Sequence, residues 1–481
     1  MSAQTPHQQP PRDFPERDDD DEMLDPADAE EEIVDDDDAA MDSGDEDNDE
    51  ANLDPSETLE EIALQNDSTA HFDAHTDSIF CIAQHPIHSS IVATGGGDDT
   101  GYVFDGTPPR RPLLPSSYES NPQPVERESI KPLFKLEGHT ESLNAITYTL
   151  PKGAYLATGT LDGALRVWAT DQPGLRYKFL AEAKEVDEIN WLAPCPHPSH
   201  PNVLALGAAD GSVWVYSLNI ADKASPLTIL QTYYKHTAPC TAGAWTPDGT
   251  LLATVAEDSS LEVWDVFSDA AAAGIASPDS QSVVSLNGTD ERFRVDGGLY
   301  SVAVAPTGAF LATGGAEGQL RIVGLPRLSA GTTTGTGQTG QILASLQTQS
   351  DGIETLSFSS PPLNLLAAGS VDGSIALFDH AHRFAVRRHI RDAHDGEAVI
   401  KVEFLVHGNQ TYILTSAGND GVIRRWDARG GTAAAGNGLL AEWRGHRGGG
   451  EGGGVLGFVQ GAGAVVTAGD DGVALVFEGG R

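Results

Sequence analysis

Basic residues are scarce in this sequence. Lysine and arginine number 29 against 71 aspartates and glutamates, a formal net charge of −42 over 481 residues. A field of that sign repels nucleic acid and anionic membranes and attracts basic partners. Cysteines are scarce too. Cys81, Cys195 and Cys240 are too few for a disulfide framework, and no pair has metal-ligand spacing. They read as core thiols in a reducing compartment. No apolar run reaches the roughly 18 residues a membrane span needs, and the first residues lack the apolar core of a signal peptide. The expected location is cytoplasmic, with the nucleus left open. No cofactor or metal is expected.

The charge is uneven. Residues 1–68 hold 27 acids against Arg12 and Arg17, which leaves −25. The remaining 44 acids and 27 bases leave −17, so the body is acidic in its own right. The first segment has acid runs at Asp18–Glu22, Glu30–Glu32 and Asp35–Asp38, and Phe14 is its one aromatic. Such a chain cannot bury enough apolar surface to offset its ordering entropy. Residues 1–67 are therefore expected to be a disordered acidic tail. Glu57–Leu64 could form a short helix or docking segment, and Ser43 lies in an acidic context that suits an acidophilic kinase.

From about residue 69 short β-branched runs alternate with Gly, Asp and Thr turns, as in all-β chains. A repeat emerges: an apolar strand, small residues with Thr or Ser, Asp-Gly, then a strand ending in an aromatic. Tyr155–Trp168, Leu251–Trp264 and Tyr412–Trp426 are the clearest copies, and five weaker ones fill the gaps. Its acidic turn residue recurs at Asp98, Asp162, Asp210, Asp258, Glu317, Asp372, Asp420 and Asp471, at spacings of 64, 48, 48, 59, 55, 48 and 51. A bare WD repeat runs about 40–45 residues. Inserts near 107–131, 268–290 and 329–340 account for the excess.

The pattern resembles the WD-repeat family. Its full blade carries a His, a Ser or Thr, an Asp and a Trp. Three copies have all four: His139, Thr158, Asp162 and Trp168; His236, Thr254, Asp258 and Trp264; His394, Ser416, Asp420 and Trp426. The resemblance implies a buried polar chain in each, with every member satisfied by the next. His75 and His446 open two further blades in the same structural role. A Ser-His-Asp set invites a hydrolase reading, but a set that recurs blade after blade is a structural device, and no nucleophile elbow is present. The Gly-rich stretches at 331–340 and 448–454 lack a phosphate-loop ending and read as loops. The fold expected is an all-β, eight-bladed WD-repeat β-propeller over residues 68–481. The last blade lacks an outer strand, and Ser68–Phe72 is the unassigned candidate to close the ring. A closed ring needs no partner, so a monomer is expected.

In this family the loop before each inner strand and the turn bearing the Asp share one rim. The first loop type offers Asp77, Glu141, Asp187, Glu188, Asp296, Asp351, Glu354, Asp395, Glu397 and Glu451; the second offers Asp99, Glu257, Glu317 and Asp470. Phe80, Trp191 and Tyr300 fall beside them by strand phase. Acids with aromatics can hold arginines by paired hydrogen bonds and stacking.

The stretches DSTAHFDAHTDSIFCIAQHP, IVATGGGDDTGYVF and LEGHTESLNAITY, after an acidic tail, resemble the family of angio-associated migratory cell protein and its fungal counterpart. The fungal member is a ribosome-assembly chaperone. The resemblance implies a chaperone dedicated to a large-subunit ribosomal protein, which binds that client's basic N-terminal segment. A general interaction scaffold, or an adaptor for other basic proteins, is the alternative. No enzyme is expected.

Overall fold

The computed structural model describes residues 65–108, 129–171, 176–276, 281–328, 338–406, 411–429, 438–448, 452–461 and 463–479. The acidic tail to residue 64, Ser43, Glu451 and much of the inserts lie outside the described residues.

The second strand of each repeat shows why these segments are strands. Tyr155–Thr160, Val203–Ala208, Leu251–Ala256, Leu365–Ser370 and Ile413–Gly418 are buried along their whole length. Small and β-branched residues let such a strand be covered on both faces, and outer strands such as Ile342–Gln347 alternate in exposure instead. The strands form eight four-stranded antiparallel sheets. Their inner strands are Cys81–Gln84, Leu143–Tyr148, Ile189–Pro194, Cys240–Trp245, Leu299–Val304, Ile353–Phe358, Val399–Phe404 and Val455–Gln460, in blades 1 to 8. Each inner strand touches the next, and that of blade 8 touches that of blade 1, so the ring is closed.

Blade 8 is completed by the strand that precedes blade 1. Ala70–Phe72 pairs antiparallel with Ala474–Glu478, placing Ala70 opposite Val476 and Phe72 opposite Ala474. Phe72 is fully buried and stacks on Phe104 of blade 1 at 4.3 Å. Asp67 exchanges hydrogen bonds with the main chain of Arg444 in blade 7's exit, so Gln65–Asp67 continue along the propeller rather than belonging to a tail.

Core clusters sit between neighbouring blades. Val103 and Ile91 of blade 1 pack with Tyr148, Leu156 and Trp168 of blade 2; Tyr233 of blade 3 stacks on Trp264 of blade 4 at 4.1 Å. Each such side chain, fully buried, contributes about 1.5–3 kcal/mol of transfer free energy. Side chains also tie inner strands around the ring: Asn144 donates to Ile189 O, Asn190 to Cys240 O, Thr241 to Leu299 O and Ser301 to Ile353 O.

The repeated polar chain is complete in blade 7. Trp426 Nε1 donates to Ser416 Oγ (2.9 Å), Ser416 Oγ meets His394 Nε2 (2.8 Å), and His394 Nδ1 meets Asp420 Oδ1 (2.8 Å). Burial works against ionisation of Asp420, but the bonds from His394 and Arg424 outweigh it and hold its carboxyl below the usual range. Blade 4 differs from the expected chain. Trp264, Thr254 and His236 are linked, but Ser260 stands between His236 Nδ1 and Asp258. Blade 2 differs further. His139 meets Thr158 at 2.9 Å, while Asp162 is drawn to Thr140, Thr160 and Lys184, and His139 Nδ1 has no partner. A hydroxyl two residues after the turn aspartate, or before it, outcompetes the imidazole for the carboxylate. Blades 1 and 8 form the His-Thr-Asp part without Trp: His75 with Thr94 and Asp98, His446 with Thr467 and Asp471.

The Asp-Gly pair in these turns has a steric reason. Gly163 has φ 80°, and a Cβ there would lie 1.8 Å from Val186 O in the next blade's loop.

Candidate partner-binding face

In a four-stranded antiparallel blade, the loop from outer to next inner strand and the turn from second to third strand fall at the same end. The sequence-selected acids therefore share one end of the ring. Asp77, Glu141, Asp187, Glu188, Glu354 and Glu397 come from the first kind of segment, and Asp99, Glu257, Glu317 and Asp470 from the second. None of these carboxylates is ion-paired among the described residues. Asp296 and Asp395 are paired, with Arg294 and Arg424.

Some of these residues are brought together. Glu257 of blade 4 and Asp351 and Glu354 of blade 6 surround the Tyr300 phenol of blade 5, whose pKa is raised by lost hydration and then by Glu354, Glu257 and Asp351. Tyr300 Oη donates to Gly297 O at 2.8 Å, which fixes the ring. Glu354 holds its proton more tightly than an ordinary glutamate, first through lost hydration and second through Asp351. Phe80 is 39% exposed and lies against Gly97, beside Asp77. Asp470 reaches across from blade 8 to accept from Ser78 of blade 1 (2.6 Å) and from Gly452 N (2.8 Å).

Others stand apart. Trp191 is set into the wall between blades 3 and 4: its Nε1 donates to Cys240 O at 3.1 Å, and its indole fills the space over Gly207 and Gly243. Asp187, Glu188 and Glu141 flank blades 3 and 2 without a side-chain bond that ties them to the Tyr300 group. Asp99 and Glu317 occupy left-handed backbone (φ 56° and 54°), which turns each outward at its tight turn.

Strand phase did not show why Tyr300 and Glu354 flank each other. Both are the extra residue of a β-bulge at the start of an inner strand, between Leu299 and Ser301 and between Ile353 and Thr355. A bulge re-aims a side chain, and its residue types carry no signal for it.

Among the described residues no group of three His, Cys, Asp or Glu could hold a metal ion, and no helix is long and apolar enough to cross a membrane. Burial pushes the Cys195 and Cys240 thiols up to about 12, which leaves them inert as nucleophiles.

Comparison with known proteins places this geometry. The family model of the WD domain, G-beta repeat, matches residues 66–105, 130–169, 227–265, 277–323 and 340–379. The crystal structure of Chaetomium thermophilum Sqt1 bound to the N-terminus of the ribosomal protein L10 superposes with a TM-score of 0.76 at 53% identity, covering 86% of this chain and 100% of that one. The ribosome assembly protein Sqt1 of Saccharomyces cerevisiae is 26% identical over 86% of this chain and 87% of its own length. Human angio-associated migratory cell protein is 26% identical over 79% of this chain and 74% of its own. The chain belongs to the family of WD-repeat proteins that includes the ribosome assembly protein Sqt1 and angio-associated migratory cell protein.

Proposed function

We propose that this chain is a dedicated chaperone, without catalytic activity, that binds the basic N-terminal segment of a newly made ribosomal protein of the L10 type and supports large-subunit assembly. It works in the cytoplasm. The binding face is the acidic end of the ring, centred on Tyr300, Glu257, Glu354 and Glu317 and extending to Asp77, Phe80, Asp99, Glu141, Asp187, Glu188, Trp191, Glu397 and Asp470. The observation that carries this reading is the set of carboxylates that have no ion-pair partner among the described residues at one end of the ring, in a relative of Sqt1, which is known bound to the L10 N-terminus. Unpaired acids around a fixed aromatic suit arginines, which pair bidentately and stack. A basic RNA-binding segment is kept soluble there until RNA displaces it.

The test is calorimetric titration of a peptide of the L10 N-terminal segment into the full-length chain at two salt concentrations. Tight binding that weakens as salt rises supports the reading. Absence of binding, or binding indifferent to salt, removes it.

A further inference from the structure

One position of the third strand separates blade 6 from the others. Opposite the second-strand residue of the polar chain stand Tyr102, Arg166, Trp214, Glu262, Arg321 and Arg424 in blades 1 to 5 and 7. Blade 8 has Leu475 beside Thr467. Blade 6 has Ala376, opposite Ala368.

Blade 7 shows what the large side chain does. Arg424 donates to Asp420 and to Glu442 (2.9 Å) and lies 3.1 Å from His394 Nδ1. Blade 6 has the same stations. His389 pairs with Ala376 across the ladder as Glu442 pairs with Arg424. Asp372 is the turn aspartate. Gln349 takes the histidine's place, since the next residue, Ser350, gives its N–H to Asp372 as Thr76 after His75 gives its N–H to Asp98.

A cleft of about 440 Å³ lies along Gln349, Thr348, Asp372, His389 and Arg391, at the stations that in blade 7 surround the Arg424 side chain. Three of its lining residues carry buried polar atoms without a hydrogen-bond partner among the described residues: Thr348 Oγ1, Gln349 Oε1 and His389 Nε2. Gln349 is 4% exposed. Its Nε2 donates to Ser374 O (2.9 Å) and Ala368 O (3.3 Å), which fixes the amide and leaves Oε1 as the acceptor. Buried atoms of this kind without partners are rare in native proteins and call for an explanation.

We propose that this cleft receives an arginine side chain from a bound polypeptide, which does there what Arg424 does in blade 7. A guanidinium has five donors and no acceptor. It meets the Gln349 amide oxygen, the Thr348 hydroxyl, the His389 ring nitrogen and the Asp372 carboxylate. Arg391, exposed at the mouth, is the like charge it must pass, and Asp372 offsets it. A lysine ammonium is compact and lacks the planar fork needed to span these acceptors. For the identity of the polypeptide this inference rests on the basic-client reading above; the cleft itself does not.

The test uses the full chain with N-acetylarginine amide as the probe, N-acetyllysine amide as the control, and ligand-observed NMR as the readout. Ala376→Arg fills the cleft from within. The expected result is binding of the arginine probe, weakened roughly tenfold or more in A376R, and weaker binding of the lysine probe to the wild-type chain. Equal binding to wild type and A376R, or no preference for arginine, overturns the proposal. If A376R does not fold, His389→Leu, which removes one acceptor, must weaken the arginine probe selectively. The L10 peptide titration reports separately. If the peptide fails to bind while the probe still distinguishes A376R, the client reading falls and the cleft stands; the reverse outcome removes the cleft alone.

Discussion

Trp191 of blade 3 donates its indole N–H to the carbonyl of Cys240 in blade 4, and the ring passes over two glycines to reach it. A Cβ on Gly243 would come within 2.2 Å of the indole, and one on Gly207 within 2.3 Å. Gly243→Ala is therefore expected to displace Trp191 and destabilise the propeller by about 1–3 kcal/mol. Urea unfolding followed by tryptophan fluorescence checks it. An unchanged midpoint would mean the indole is free to move.

Blade 7 holds the complete polar chain, and Ser416 is the atom both neighbours share. Ser416→Ala leaves Trp426 Nε1 and His394 Nε2 buried without a partner, at a cost of about 1–3 kcal/mol. Ser416→Thr keeps the hydroxyl, as Thr254 does in blade 4, and should cost much less. Equal losses from the two substitutions would show that packing, rather than the hydroxyl, matters there.

Glu257→Lys and Glu317→Lys test the proposed binding face by charge. Both side chains are exposed and make no ion pair among the described residues, so stability should change by no more than about 0.5 kcal/mol. Affinity for the basic L10 peptide should fall roughly tenfold for each, with a flatter salt dependence. Calorimetry of each variant beside its thermal melt separates lost binding from lost folding.

Acid should weaken the fold before its carboxylates protonate. Burial, and then Arg166, push His139 from 6.5 to about 4; burial, and then His88, push His85 to about 4. Burial also lowers His236. These imidazoles are neutral in the folded chain and protonate near 6.5 when it unfolds. The unfolded state thus binds more protons between about pH 4 and 6.5, and stability falls as pH drops through that window. Above pH 6.5 their contribution is complete. Asp98, lowered to about 2 by His75 against the opposing effect of burial, adds its loss only below 3.8. Melting temperatures should stay level from pH 7.5 to about 6.5 and fall from there to 4.5, and His139→Gln should flatten that slope. A flat wild-type profile would falsify the assignment.

The blade count was legible in the sequence because the Asp-bearing turn recurs at residue types that steric demand fixes, as at Gly163. The rim acids were legible because a turn and a loop at one end of each blade are set by topology alone. What escaped was local competition and local geometry. Ser260 and Thr160 divert Asp258 and Asp162 from their histidines, and nothing in the spacing ranks one hydroxyl against one imidazole. The bulges that place Tyr300 and Glu354 leave no pattern in residue type. The distinctive position of blade 6 is one alanine, Ala376, which reads as an ordinary strand residue until its counterparts in the other blades are set beside it.

Ring closure has a consequence for how the molecule is made. Thr69 gives both its N–H and its hydroxyl to Val476, a partner 407 residues later in the chain. During synthesis the closing strand emerges before any of the blades and waits, unpaired, until the final blade has left the ribosome. Loop closure over such a separation is slow. The ring therefore stays open between blades 8 and 1 throughout translation, and closes only when the strand before blade 1 meets the last strand of blade 8.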